Sequence, residues 1–271
     1  MRISAIQTHI LFGSKVFVVM STDEGITGIG ECSPMNGPAI KHFLDTVLAP
    51  LVVGQDPLQI DRLWTTMLYG PYKLGTQGIQ LEAIAGIDIA LWDILGKVAG
   101  LPVSTLLGGR YRERVRMYRS IGGGNRMTPL DMAHKVEEAI EGGFTAIKIR
   151  MDWGYHQDID PEKDWAMFRE CKTVTGETVP LSFDPNCGYS VSTAIKQGRR
   201  FESLGLQHYE EPVAPYDYAG IAQVAAALDA PVSAGEHEYT RWQFRDLIQQ
   251  AQVDIIQPDV VKCGGISEMK R

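Results

Sequence analysis

VPLSFD (residues 179–184), LQHYEE (206–211) and APVSAGE (230–236) decide the fold of this chain. Each is a short apolar run that ends at a carboxylate: Asp184, Glu210 and Glu236. From 184 to 210 is 26 residues, and from 210 to 236 is 26 again. A stretch of helical character follows each run, so the repeat is one strand plus one helix. Successive parallel strands bring the three carboxylates to one rim of a sheet or barrel. Three converging carboxylate oxygens make a site for a hard cation, most simply Mg²⁺.

The same rhythm extends in both directions. VRMYRSIG (115–122), FTAIKIR (144–150) and VDIIQPD (253–259) also read as strands. Helical stretches are expected over 129–142, 161–175, 191–204, 217–228 and 240–251. Six strands alternating with five helices is the pattern of a parallel β/α barrel. Eight such units close a barrel, and Arg271 falls early in what reads as the sixth crossover helix. The expectation is therefore a C-terminally truncated chain with about six of eight barrel strands, poorly soluble or loosely folded alone because its strand edges are bare.

The first part of the chain has a different grammar. Residues 1–31 alternate like an antiparallel meander, with KVFVVMST (15–22) and ITGIGE (26–31) around a DEG turn. Residues 38–70 carry apolar residues at helical spacing, and 79–99 reads as the strongest helix, stopped by Gly100 and Pro102. The expected organisation is α/β overall: an α+β capping domain over 1–112 and a partial (β/α) barrel over 113–271.

Composition narrows the function classes. The chain is 44% hydrophobic and 22% charged, with a net charge of −7. That balance argues against a nucleic-acid partner, and no apolar run approaches a membrane span. Cys32, Cys171, Cys187 and Cys263 form no CxxC pair, which suggests neither a zinc site nor a disulfide framework and fits a reduced cytoplasm. MRISAIQTHILF at the start reads as a strand, with no signal-peptide core.

Several passages resemble the enolase superfamily in its mandelate racemase/muconate lactonizing branch. They are AIAGIDIALWDILGKVAGLPVSTLLGG (83–109), AIKIR (146–150), the Asp184/Glu210/Glu236 ladder, EEP (210–212) and IIQPDVVKCGG (255–265). The resemblance implies a capping domain on a modified barrel, with Mg²⁺ held by Asp184, Glu210 and Glu236. It implies a substrate carboxylate on the metal, loss of the proton α to it, and an enediolate stabilised by the ion. AGEHEYTRWQFRDL (234–247) with QPDVVKCGG looks like rhamnonate dehydratase and related acid-sugar dehydratases.

Individual residues take roles from this reading. Lys148 and Arg150 share one strand face. They match the family's Lys-x-Lys, with arginine where the second lysine usually serves as base. Arginine stays protonated and makes a poor base, so Arg150 is expected to hold an anion and Lys148 to clamp the substrate carboxylate. Asn186 is expected to point with Asp184 toward the substrate, and His237, beside Glu236, to touch it. Glu211 is expected to turn to the other strand face by alternation. Tyr155 and His156 are candidates on a loop, and residues 13–25 and 69–78 are candidate specificity loops. By resemblance Asp259 orients a catalytic histidine beyond Arg271.

The expected activity of the parent protein is a Mg²⁺-dependent acid-sugar dehydratase, acting by proton abstraction and β-elimination of water, with the 271-residue chain alone expected to turn over no acid sugar. The alternatives are a racemase, epimerase or cycloisomerase of the same superfamily, or an inactive fragment lacking its base. The expected partner is a small carboxylate substrate, in a homo-oligomer when full length.

Overall fold

The computed structural model describes residues 1–154 and 157–271. Cα packing divides the chain into two compact units. The first comprises residues 1–113, 238–244 and 258–271; the second comprises 114–237 and 245–257. Two late segments thus pack within the first unit, although they follow barrel strands in sequence.

In the first unit, β1 (Ile3–Leu11), β2 (Lys15–Thr22) and β3 (Thr27–Glu31) form an antiparallel meander. β2 shows the strand period plainly: Val16, Val18, Met20 and Thr22 are buried, and the residues between them are not. The helical region expected over 38–70 is interrupted. α1 (Gly37–Phe43), a π-helical turn (Leu44–Leu48) and α2 (Ala49–Val52) precede a break, and α3 (Ile60–Tyr69) resumes after it. Gly54 at φ 84°, followed by Pro57, accounts for the break.

α4 (Ile79–Ala99) occupies the span that the sequence predicts, and Gly100 ends it at φ 66°. Much of its circumference is buried, including Leu81, Ile84, Ile87, Leu91 and Ile94. It lies very close to β3: a Cβ on Gly30 would sit 1.9 Å from the Gly86 carbonyl oxygen, inside any allowed contact. A short helix, α5 (Val103–Leu106), follows.

The C-terminal segment, with α11 (Ile266–Lys270), is bound to this unit by polar contacts. The Trp64 indole donates to the Gly264 carbonyl at 2.8 Å, and Asp88 accepts from the Ser267 N–H at 2.9 Å and from its hydroxyl at 2.5 Å. Asp88 is fully buried, and burial raises its pKa to about 6 despite these bonds. A folded-state pKa above the ordinary value means a contribution that is fully present below about pH 4 and lost as pH rises through 6. Asp88→Asn is therefore expected to flatten stability over pH 4–6. The gap between variant and wild type should change by about 2–3 kcal/mol across that window, read from urea unfolding at several pH values. The lost hydrogen bonds add only a constant offset, so parallel curves would refute the assignment.

In the second unit, β4 (Arg119–Ile121), β5 (Ile147–Arg150), β6 (Leu181–Asp184), β7 (Leu206–Glu210), β8 (Val232–Ala234) and β9 (Ile255–Ile256) form one parallel sheet in sequential order. α6 (Pro129–Glu141), α7 (Pro161–Thr175), α8 (Val191–Glu202) and α9 (Tyr218–Ala227) alternate with the strands. α10 (Thr240–Asp246), which starts among the residues of the first unit, continues into a π-helical turn of the second, Leu247–Ala251. Among the described residues this is a six-stranded, incomplete barrel of the enolase type. Side-chain caps start the helices: Thr128 for α6, Asp160 for α7, Ser190 for α8 and Asp217 for α9. Phe168, Phe183, Phe201 and Tyr209 form an aromatic core, with Phe183 and Phe201 at 4.4 Å between centroids. No helix among the described residues is long and apolar enough to cross a membrane.

Candidate active site

Strand alternation builds the site. Phe183 and Tyr209 join the aromatic core, so Ser182, Asp184, His208 and Glu210 face the other way. Register adds β5 to that face, pairing Lys148 with Ser182 and Arg150 with Asp184. The result is a polar interior where each strand ends.

Lys148 is the hub. It is 5% exposed and forms an ion pair with Glu210 Oε1, while its Nζ lies 3.6 Å from Asp184 Oδ2. Its ammonium also sits 5.6 Å from the Tyr118 ring centroid. Glu210 Oε2 accepts from Gln257 Nε2 at 2.7 Å and faces His208 Nε2 at 3.6 Å. His208 Nδ1 is in turn 2.7 Å from Ser182 Oγ. Burial works to raise the pKa of Glu210, but His208, Lys148 and Gln257 overcome it and hold the group at about 2. Asp184 goes the other way: burial and the charge of Glu210 push it well up, against Lys148 and the Asn186 N–H. Two buried carboxylates here share one ammonium.

Glu236 lies in the turn after β8 and keeps solvent access. Partial burial of its carboxylate, then the charges of Glu211 and Glu210, raise its pKa. Asp184, Glu210 and Glu236 thus end or follow adjacent parallel strands of one sheet, two of them buried and one at the rim.

Arg150 does not stand as a spare cation. Its Nε is paired with Asp152 Oδ1, and Asp152 Oδ2 accepts from the Gly123 N–H at 2.6 Å. A Cβ on Gly122 would sit 2.8 Å from Arg150 Nη2, so glycine there makes room for the guanidinium.

Two positions lie outside regular strand geometry. Asn186 and Cys187 have φ of 56° and 61°, so the chain has left regular strand geometry there. Asn186 contributes its backbone N–H, which donates to Asp184 Oδ1 at 2.7 Å. Glu211, at φ 36°, also departs from the pleat. Its carboxylate accepts from the Gly235 N–H at 3.3 Å and from the Cys187 thiol at 3.6 Å, and lies 2.8 Å from His237 Nδ1. His237 is therefore engaged by Glu211.

Cys187, Glu211 and His237 offer donor atoms within 4.8 Å of one another and form a group that could hold a metal ion. Burial keeps the Cys187 thiol protonated, which leaves it a hydrogen-bond donor.

Asp259 belongs to the first unit, is exposed, and accepts from the Val261 N–H at 3.0 Å. Tyr155 and His156 lie outside the described residues. Sequence reasoning missed His208, Gln257 and Asp152. The period-two rule that selects Glu210 also selects His208, which a rule confined to strand-end carboxylates passes over, while Asp152, at φ 58°, lies past the end of β5 where alternation gives no signal.

A family profile described as the mandelate racemase/muconate lactonizing enzyme N-terminal domain matches residues 5–108, and an enolase C-terminal domain-like profile matches 131–271. D-galactarolactone cycloisomerase of Agrobacterium fabrum is 34% identical, over 100% of this chain and 74% of its own length. Arabinonate dehydratase of Saccharolobus solfataricus is 35% identical, over 93% of this chain and 66% of its own length. The chain spans about two thirds to three quarters of these relatives. Among solved structures, a mandelate racemase/muconate lactonizing protein of Paracoccus denitrificans complexed with magnesium superposes with a TM-score of 0.94 at 38% identity, covering 99% of this chain and 74% of that one. These matches, with the capping sheet, the parallel barrel strands and the acidic rim, place the chain in the mandelate racemase/muconate lactonizing enzyme family of the enolase superfamily, close to its acid-sugar dehydratases and cycloisomerases.

Proposed function

We propose that this chain carries the metal and substrate-carboxylate half of a Mg²⁺-dependent acid-sugar dehydratase. The observation that supports this best is the buried Asp184–Lys148–Glu210 cluster at the strand ends, with Glu236 beside it. Its donors are all carboxylate oxygens, and their negative charge exceeds that of the one ammonium among them. That chemistry fits a hard cation held by Asp184, Glu210 and Glu236. The mixed group of Cys187, Glu211 and His237 fits Mg²⁺ less well, because a protonated thiol is a poor ligand for a hard ion. When bound, Mg²⁺ supplies positive charge where negative charge gathers as the α-proton leaves.

The other roles follow from the protein's own groups. Lys148 attracts and orients the substrate carboxylate. Arg150, neutralised by Asp152 and permanently protonated, presents fixed N–H donors to a substrate hydroxyl and does not act as a base. Asn186 and His237, close in sequence to Asp184 and Glu236, are assigned to substrate contact. Asp259 is assigned, by resemblance, to orienting an imidazole base. A site with one base favours elimination over racemisation, which needs a base on each face of the carbon. The rhamnonate dehydratase look of residues 234–247 supports the same choice.

The test is incubation of the protein, in a form that carries the imidazole base, with Mg²⁺ and a panel of five- and six-carbon aldonic acids in D₂O. Formation of a 2-keto-3-deoxy acid is the expected result. Deuterium exchange at C2 without loss of water would favour an epimerase or racemase of the same family. Formation of an isomer by opening or closing of a ring would favour a cycloisomerase.

A further inference from the structure

Asp164 is fully buried in the first turn of α7, and none of the roles above uses it. The Trp153 indole N–H donates to its Oδ1 at 2.9 Å, and the Tyr189 hydroxyl donates to its Oδ2. The two donors come from different loops. Trp153 directly follows Asp152, the partner of Arg150, in the loop after β5. Tyr189 lies three residues past Asn186 in the loop after β6. Among the described residues no cation offsets the charge at hydrogen-bond distance: the neighbouring Lys163 ammonium donates instead to the Asn125 carbonyl at 2.8 Å.

We propose that Asp164 is a positioning residue that locks together the two loops carrying Arg150–Asp152 and Asp184–Asn186. The inference that this lock serves catalysis rests on the proposed function; the lock itself does not. A carboxylate suits this task because it accepts at both oxygens, while an asparagine offers one acceptor and keeps the Tyr189 hydroxyl only by turning it from donor to acceptor, in place of a bond to a charged group. The charge is otherwise a liability. Burial raises the Asp164 pKa to about 6, although both bonds favour the ionised form. A neutral side chain would serve stability better.

The surrounding contacts agree. A Cβ on Gly188 would sit 3.0 Å from the Trp153 Cβ, so the loops touch where Gly188 lacks a side chain. Farther along, the Asp158 N–H donates to the Gly188 carbonyl at 2.8 Å, and Asp158 accepts from the Ser190 N–H at 2.9 Å and hydroxyl at 2.6 Å. The second loop is also tied to the segment after β7: the Cys187 N–H donates to the Glu211 carbonyl at 2.9 Å. Movement at Asp164 is therefore transmitted to both loops.

The test uses Asp164→Asn and Tyr189→Phe in the full chain. Amide hydrogen exchange is followed over residues 152–154 and 186–190, with thermal unfolding, Mg²⁺ affinity by calorimetry and turnover measured alongside. Asp164→Asn is expected to raise exchange about tenfold in both segments together, while the melting temperature holds or rises because a buried charge has gone. Mg²⁺ affinity and kcat should fall about tenfold, with KM changed less. Tyr189→Phe removes one donor at nearly constant volume and should raise exchange in 186–190. A residue with only a structural role would lower the melting temperature in step with loosening. Unchanged exchange in either segment of the asparagine variant overturns the lock. Raised exchange with unchanged Mg²⁺ affinity overturns its positioning role. Absence of turnover in the unsubstituted protein would count against the proposed reaction, while exchange still decides on the lock.

Discussion

Lys148→Met is expected to lower Mg²⁺-dependent turnover at least about a thousand-fold, equivalent to about 4 kcal/mol, and to lower the melting temperature in metal-free buffer. The side chain is almost entirely buried, and its ammonium is shared by Asp184 and Glu210. Methionine fills the space and leaves two buried carboxylates facing each other. Removing one partner of a buried ion pair typically costs about 3–5 kcal/mol, because the remaining charge is uncompensated. The metal should act with a distinctive sign. In the variant a bound Mg²⁺ is the main remaining cation at the two carboxylates, so saturating Mg²⁺ should raise its melting temperature by more than it raises that of the wild type. Titrating Mg²⁺ into both proteins during thermal unfolding checks this. Equal metal-induced shifts would show that Lys148 and the ion do not serve the same carboxylates.

Asp184→Asn should give the opposite pattern. Burial and the neighbouring Glu210 push the Asp184 pKa well above its ordinary value. Its contribution to stability is therefore fully present at low pH and is lost as pH rises through that elevated value. Without metal, ionising Asp184 is therefore a net burden on the folded state. The asparagine variant, which keeps the Lys148–Glu210 pair, should melt higher than wild type at neutral pH and show a smaller gain at pH 4. The Mg²⁺-induced shift should disappear, with turnover down at least about a thousand-fold. Glu236→Gln, at the solvent-accessible rim, should lose the metal response with a smaller change in metal-free stability. A destabilised asparagine variant that still responds to Mg²⁺ would remove Asp184 from the ligand set.

What the sequence made legible follows from periodicity. The repeat from 184 to 210 to 236 located β6 and β7 and the turn after β8, and α4 and α7 occupy the predicted spans because a cap or a Gly–Pro stop marks their ends. The same logic does not extend to positions where the chain leaves regular strand geometry. Asn186, Cys187 and Glu211 adopt left-handed φ values, and no alternation rule carries through such a residue. Partners distant in sequence were also hidden: nothing in QPD announces that Gln257 donates to Glu210, or that Arg150 is already committed to Asp152. Site membership was written in strand period, while site wiring depended on loops.

The bond from the Trp64 indole to the Gly264 carbonyl joins residues 200 apart, and the Asp88–Ser267 bonds join residues 179 apart. During synthesis the three-stranded sheet and α4 emerge early, yet their polar partners in 258–271 are made only after β4–β9. The barrel strands, by contrast, each pair with the next strand in sequence, at low loop-closure cost. Folding should therefore run against the order of translation. The strand–helix repeats consolidate one after another as they leave the ribosome, and the N-terminal unit waits, incomplete, for the C-terminal segment to close on it. Until then the Asp88 carboxylate and the Trp64 N–H have no partner from that segment, which makes the nascent N-terminal unit, rather than the barrel, the stage most in need of chaperone protection.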